Sequence, residues 1–252
     1  MKDLTFLYPP FLNHAYTLPS FLSSIFKYLI NKNYLKITNN LSLNEYLKQM
    51  PSQNILLTPL EAVSLYKAAY FASKKADIVE IGSWRGGSAV ILAAALKDSK
   101  SKNKLHCIDP YSSERDMISK KYLKEHTLNL GLKNLKQNYY YFLSLLRQFD
   151  LKKQVNVHIS RSEVFFDFWK GNVGFIFIDG NHSFKVVNND IRMWSKKVIK
   201  YGLVGVHDCD NRTTGKPGLP GPTKAVKIFF EKNKDWRCVG QSDSLIFFQR
   251  VS

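Results

Sequence analysis

Val79-Glu80-Ile81-Gly82-Ser83-Trp84-Arg85-Gly86-Gly87-Ser88 is the stretch on which the fold turns. A short apolar run carrying one acid ends in a glycine. Two more glycines follow, and Ser88–Lys97 then reads as a helix. Glycines after a strand let backbone approach a ligand closely, and a helix N-terminus behind them offers free N–H groups. The spacing is G-x-x-x-G-G, not G-x-G-x-x-G, so the dinucleotide fingerprint is not matched. Glu80, two residues before Gly82, suits a ligand with a positive group better than a pyrophosphate.

Outward from this stretch, short apolar runs alternate with helical patterns. The runs are Ile78–Ile81, Leu105–Ile108, Val155–Ile159, Val173–Ile178 and Leu203–Val206. None alternates strictly, as expected of strands buried on both faces of a parallel sheet. Tyr139–Phe149 and Phe184–Ile199 read as connecting helices, with Gly202 as the stop of the second. Trp236–Gly240 and Leu245–Gln249 lie too close together for a helical crossover and predict an antiparallel hairpin at the sheet edge. Residues 1–75 lack strand rhythm and read as helices, most clearly Thr58–Phe71, with Thr58 as cap, Pro59 in first position and Glu61 supporting the start. The expected fold class is therefore α/β, a doubly wound, mostly parallel seven-stranded sheet with a C-terminal antiparallel hairpin. An N-terminal helical extension over 1–57 precedes a main domain over 58–252.

The second strand ends in Ile108-Asp109-Pro110. In doubly wound sheets an acid here, roughly 20 residues past the glycines, binds ribose hydroxyls. Composition narrows the partners. The 252 residues carry 37 basic and 20 acidic side chains, a net charge of +17. That invites nucleic acid or an anionic membrane surface. The bases are mostly lysine, however, and arginine is the residue suited to bidentate phosphate and base contacts. The excess is also dispersed, and the segment 76–96 that holds the glycines is net negative. Three scattered cysteines, Cys107, Cys209 and Cys238, make neither a disulfide framework nor a cysteine zinc site. A reducing, cytoplasmic location is expected, with no secretory signal. Phe21–Ile30 is apolar but short and carries Lys27, which favours a helix packed on the domain over a transmembrane segment.

Four elements together carry a resemblance: Glu80-x-Gly82-x-x-x-Gly86-Gly87-Ser88; Asp109; Phe177-Ile178-Asp179-Gly180-Asn181-His182; and Gly202…Val206-His207-Asp208. Over about residues 58–250 the chain resembles class I S-adenosylmethionine-dependent methyltransferases with a Rossmann-like sheet. More narrowly it looks like the branch of metal-dependent catechol-type and antibiotic-sugar O-methyltransferases. The resemblance implies S-adenosyl-L-methionine as cofactor. Glu80, Gly82, Ser83, Trp84, Gly86, Gly87 and Ser88 would surround its methionine part, with Glu80 near the ammonium. Asp109 would hold the ribose, and Asp179 would also border the cofactor. Ser160-Arg161-Ser162 falls where adenine contacts are expected. Relatives often carry Gly-Asp-Ser there, so Ser162 or a backbone N–H would serve.

Asp179 and Asp208 are placed to end adjacent strands, where two carboxylates can hold a hard divalent cation such as magnesium. Their neighbours His207 and Asp210 are further candidate ligands, although imidazole suits a softer metal. His182 is the candidate catalytic base, since an unperturbed pKa of roughly 6.5 suits removal of a hydroxyl proton. Acceptor specificity would sit in 1–57, in 111–137 and in the Pro/Gly-rich loop 211–222, read as a cleft rim whose prolines and glycines break any helix. The acceptor expected is a small molecule, a sugar or a glycan. An RNA methyltransferase or RNA-binding protein is the competing class, and a non-catalytic cofactor-binding module is a third. The reading leaves room for a homo-oligomer.

Overall fold

A computed structural model of the chain describes residues 36–38, 41–42, 56–111, 135–212 and 214–252. Two short strands, β1 (Lys36–Thr38) and β2 (Leu41–Ser42), pair antiparallel. This corrects the helical reading at that point of 1–57, where β-branched Ile37 and Thr38 favour extended backbone. Phe21–Ile30 and the rest of 1–55 lie outside the described residues, as does 112–134.

The main sheet has seven strands, β3 (Asp77–Ile81), β4 (Leu105–Asp109), β5 (Val155–Ile159), β6 (Val173–Ile178), β7 (Val198–Val206), β8 (Trp236–Ser242) and β9 (Leu245–Arg250), in the order β5-β4-β3-β6-β7-β9-β8. The first five are parallel, and the β8–β9 hairpin adds on antiparallel through β9. All seven apolar runs read from the sequence are these strands. The chain runs outward from β3 to β5, then returns to the other side of β3 at β6. A crevice therefore opens at the carboxyl ends of β3 and β6, where such sheets take their ligands.

Helices cover both faces. On one side α1 (Pro59–Ala72), α2 (Gly87–Asp98) and α3 (Leu135–Gln148) bury Leu65, Leu92 and Phe142 against Ile78, Phe175, Phe177 and Phe247. On the other, α4 (Ser162–Phe168), α5 (Phe184–Trp194) and α6 (Pro220–Phe230) pack Phe166, Trp194 and Phe230 on Val79, Ile176, Val204 and Phe248. Alternate residues of one strand feed opposite cores, which is why the runs are continuously apolar.

Three expectations are corrected here. The helix Phe184–Ile199 ends at Trp194, and Val198 already pairs with Val173. Gly202 is not a helix stop. It lies within β7, beside an irregularity where five β7 residues pass two of β6, from Val198↔Val173 to Leu203↔Phe175. The loop 211–222 does contain helix: α6 begins at Pro220. Prolines in a first helical turn lose nothing, because the N–H groups there have no intrahelical partner.

The α1 start is tied across the molecule. Thr58 and Glu61 form a reciprocal capping box, and Thr58 Oγ1 donates to Asp243 Oδ2 at 2.5 Å in the β8–β9 turn. Thr58→Ala removes both contacts; a loss of about 1–2 kcal/mol in urea unfolding is expected.

Candidate active site

One line of register builds the site. Ile108, Ile81, Ile178 and Val206 are neighbours across β4, β3, β6 and β7. The next residues continue the ladder: Gly82 N donates to Ile108 O at 2.9 Å, Asp179 N to Ile81 O at 2.9 Å, and His207 N to Ile178 O at 3.1 Å. Asp109, Gly82, Asp179 and His207 thus stand in a row at the open end of the sheet. Side chains held on strand ends are positioned by the sheet itself rather than by loop conformation.

Gly82 is pinned there. Its φ is +91°, and an added Cβ would fall 2.3 Å from the Asp179 carbonyl oxygen. Only glycine allows this crossing of the β3 and β6 exits. The turn after it is braced from within. Glu80 is fully buried and accepts hydrogen bonds from Ser83 Oγ at 2.6 Å and Ser88 Oγ at 2.5 Å. Burial pushes its carboxyl up to about 7, against the pull of those hydroxyls. Glu80 therefore holds the loop's shape in this structure. Asp109 is stitched to the same turn: Oδ2 accepts from Trp84 N at 2.9 Å and Oδ1 from Tyr111 N at 2.7 Å. Burial raises its pKa, and these N–H groups oppose the rise. Gly86 caps α2 with a φ of +86°, and Gly87 opens the helix.

Past β6 and β7, Asp179, His182 and Asp208 converge, each offering a ligand atom within 4.8 Å of the others. His182 Nε2 lies 2.9 Å from Asp208 Oδ2. Burial pushes the Asp208 carboxyl up, but hydrogen bonding to His182 and the charge of His207 outweigh it and hold it below its ordinary value. The histidine of this cluster is His182, not His207. His207 lies beneath, 5% exposed, with Nδ1 3.0 Å from Asp179 Oδ1 and Nε2 3.4 Å from Glu61 Oε2. Burial would lower its pKa, yet Asp179 and Glu61 hold it well above the ordinary value. Asp210 faces elsewhere and accepts from Gly218 N at 2.8 Å.

The sequence reading did not find Glu61 as a site residue. Its helix-capping pattern accounts for it locally, and no local signal ties it to His207, 146 positions away. Glu61 is 2% exposed; Oε1 accepts from Ser244 N at 2.8 Å and Ser244 Oγ at 2.7 Å, and Oε2 from Thr58 N at 2.8 Å. The rim loop is also anchored to the site. Leu219 N donates to Asp208 O at 2.7 Å, and a Cβ on Gly221 would strike the His182 carbonyl oxygen at 1.9 Å.

The residues present fit the two groups implied by the resemblance. Two carboxylates and an imidazole, all partly exposed, form an oxygen-rich set suited to a divalent cation. The glycine turn that only Gly82 can make, together with Asp109 at the next strand end, fits a nucleoside-bearing cofactor across the switch point.

A family described as "Methyltransferase domain" matches residues 79–209, more than half of the chain. The chain belongs to this methyltransferase family. The matched span runs from β3 to the residue after Asp208 and so includes the whole row. Among solved structures, the O-methyltransferase NovP is 15% identical, with a TM-score of 0.60 over 92% of this chain and 99% of that one. The O-methyltransferase from Bacillus cereus in complex with SAH is 13% identical, with a TM-score of 0.56 over 91% and 97%. TomG from Streptomyces achromogenes, an O-methyltransferase in complex with SAM, is 14% identical, with a TM-score of 0.54 over 79% and 82%. At such identities the likeness is one of fold. No curated protein sequence matches the chain. The chain shares the fold of these methyltransferases. Among its described residues no helix is long and apolar enough to cross a membrane.

Ser162 is engaged elsewhere. Its Oγ donates to Asp190 Oδ1, and both residues are buried. Burial pushes Asp190 up to about 7, and Glu163 adds to this. A free aspartate titrates near about 3.9, so the folded chain retains this proton over a range where the unfolded chain gives it up. Stability is then lost as pH rises from about 4 to about 7. In thermal melts across that window, Asp190→Asn should show a smaller decline than wild type; an unchanged decline would refute the assignment.

Proposed function

We propose that this methyltransferase transfers the methyl group of S-adenosylmethionine to a hydroxyl of a small molecule, a sugar or a glycan, assisted by a divalent cation. The observation that carries the reading is the Asp179–His182–Asp208 cluster at the ends of β6 and β7, beside the Gly82 turn of β3 and two strands from Asp109 on β4. Three structural neighbours named O-methyltransferases support it at the level of fold. The cofactor would lie across β3 and β4, with its ribose on Asp109 and its methionine end on the Gly82–Gly87 turn. Asp179 and Asp208 would hold the cation, magnesium by their oxygen chemistry.

The chemistry divides simply. The bound cofactor supplies a methyl carbon already activated by its sulfonium, and the cation lowers the pKa of a hydroxyl beside it. What remains for the chain is positioning and proton management. Asp208 fixes the Nε2 edge of His182 at 2.9 Å. Nδ1 is then the atom that takes the hydroxyl proton. His207, held between Glu61 and Asp179, keeps the Asp179 carboxylate turned to the cluster. The rim loop, bonded back to Asp208, would border the acceptor. The dispersed positive charge suits an acidic glycan or a phosphorylated sugar better than a long nucleic acid.

Release of S-adenosylhomocysteine from a panel of catechols and sugar nucleotides tests this reading. Turnover is expected with magnesium and should vanish with EDTA; indifference to both would refute the metal. His182→Ala should lower kcat by about 10²–10⁴-fold while leaving cofactor affinity intact. Retained turnover would remove it as the base.

A further inference from the structure

The rim beside the Asp179–His182–Asp208 cluster is cationic. From Asn211 to Phe230, across the rim loop and α6, the chain carries Arg212, Lys216, Lys224 and Lys227 and no acid. Arg212 has a partner, with Nη2 3.8 Å from Glu231 Oε1. Lys224 is exposed and forms no ion pair among the described residues. Its ammonium lies instead 4.8 Å over the ring centre of Phe184. An aromatic face attracts a cation and restrains its long side chain. It leaves the charge uncompensated and N–H donors unused, so the lysine remains available to an anion.

The placement says which anion. Phe184 opens α5 two residues after His182. The start of α6 presses on the same stretch: a Cβ on Gly221 would fall 1.9 Å from the His182 carbonyl oxygen and 2.8 Å from Phe184 N. Lys224 lies three residues further, on the same face of α6. Side chains on a helix lean toward its N-terminus. That end of α6 meets Asp208, whose carbonyl oxygen accepts from Leu219 N at 2.7 Å. Thr223 Oγ1 fixes the same turn by accepting from Asp210 N at 2.9 Å. The Lys224 side chain thus runs back toward the cluster. Lys185, in the first turn of α5, is exposed and has no ion pair among the described residues either. An anion that meets Lys224 is one carried by the molecule whose hydroxyl reaches His182.

We propose that Lys224, seated on Phe184 beside the Asp179–His182–Asp208 cluster, sets acceptor specificity by pairing with a phosphate or carboxylate on the methyl acceptor. This rests on the methyl-transfer reading above, and the test separates the two claims. Lys200 is a matched control. It is exposed and lies 5.5 Å from the ring centre of Tyr201, but near the start of β7, at the far end of that strand from Asp208. Ligand-detected NMR titration, with S-adenosylhomocysteine and magnesium present, compares glucose 1-phosphate and glucuronate with glucose. Wild type should bind an anionic sugar about threefold or more tightly than glucose, the size of a partly screened ion pair, and less selectively at high salt. Lys224→Gln should lose that preference while its binding of glucose stays unchanged. Lys224→Arg keeps the charge and should keep most of the preference. Lys200→Gln should behave as wild type. Preference for the phosphate alone points to a phosphorylated sugar, and for the carboxylate alone to an acidic glycan; either supports the proposal.

Equal binding of the three sugars by wild type, or binding of none, would overturn it. So would a preference that survives in Lys224→Gln, which leaves the lysine a structural role. The same loss in Lys200→Gln would mark an effect of net charge and overturn it as well. Methyl transfer is read separately, by release of S-adenosylhomocysteine. Release with uncharged catechols, and none of the anion preference, would leave the function standing and overturn only the role of Lys224. No release with any acceptor would refute the function, and with it the assignment of a bound sugar as acceptor.

Discussion

The buried chain Glu61–His207–Asp179 is the contact through which the rest of the site hangs together. Two carboxylates flank one imidazole that water barely reaches, and Glu61 accepts further hydrogen bonds from Thr58 and Ser244. Removing one member would leave an uncompensated buried charge, a loss of about 3–5 kcal/mol in comparable cases. The chain also joins distant parts. Glu61 opens α1, Ser244 turns β8 into β9, His207 ends β7 and Asp179 ends β6. A helix and a hairpin outside the family-matched span thereby brace the carboxylate that faces the cleft.

Above that chain, the sheet acts as a ruler. Parallel register places residues of adjacent strands level, so four strands that stop together bring Asp109, Gly82, Asp179 and His207 to one line. Gly82 is the tight point, where the exits of β3 and β6 nearly touch. The Ser83–Gly87 turn and the Asp179–His182–Asp208 cluster stand on opposite flanks of that contact. Their separation follows from strand order and does not depend on the conformation of a flexible loop.

Some of this was legible along the chain. Six of the seven apolar runs mark their strands to within two residues at each end, because strands buried on both faces must be continuously apolar; β7 begins five residues before its run. Glycine spacing, Asp109 and the paired Asp179 and Asp208 stood out because a glycine or a carboxylate closely follows an apolar run. Other features misled. Pro220 and Pro222 looked like breakers, yet they sit where helices tolerate proline. Gly202 looked like a helix stop, yet it serves an irregular strand. The α4 helix went unmarked, being only seven residues long.

By itself, the sequence determined the fold class, the strand ends and the residue types that could hold a cofactor and a cation. Those follow from local periodicity and from the chemistry of single side chains. Tertiary structure alone decided which histidine faces the cleft. His207 adjoins Asp208 in the sequence and His182 follows Asp179 by three residues, but His182 joins the cluster and His207 is sealed beneath it by Glu61. Tertiary structure alone also set the Lys224 ammonium over the ring of Phe184. Burial and partner choice are set by elements far apart in the chain, so no local pattern encodes them.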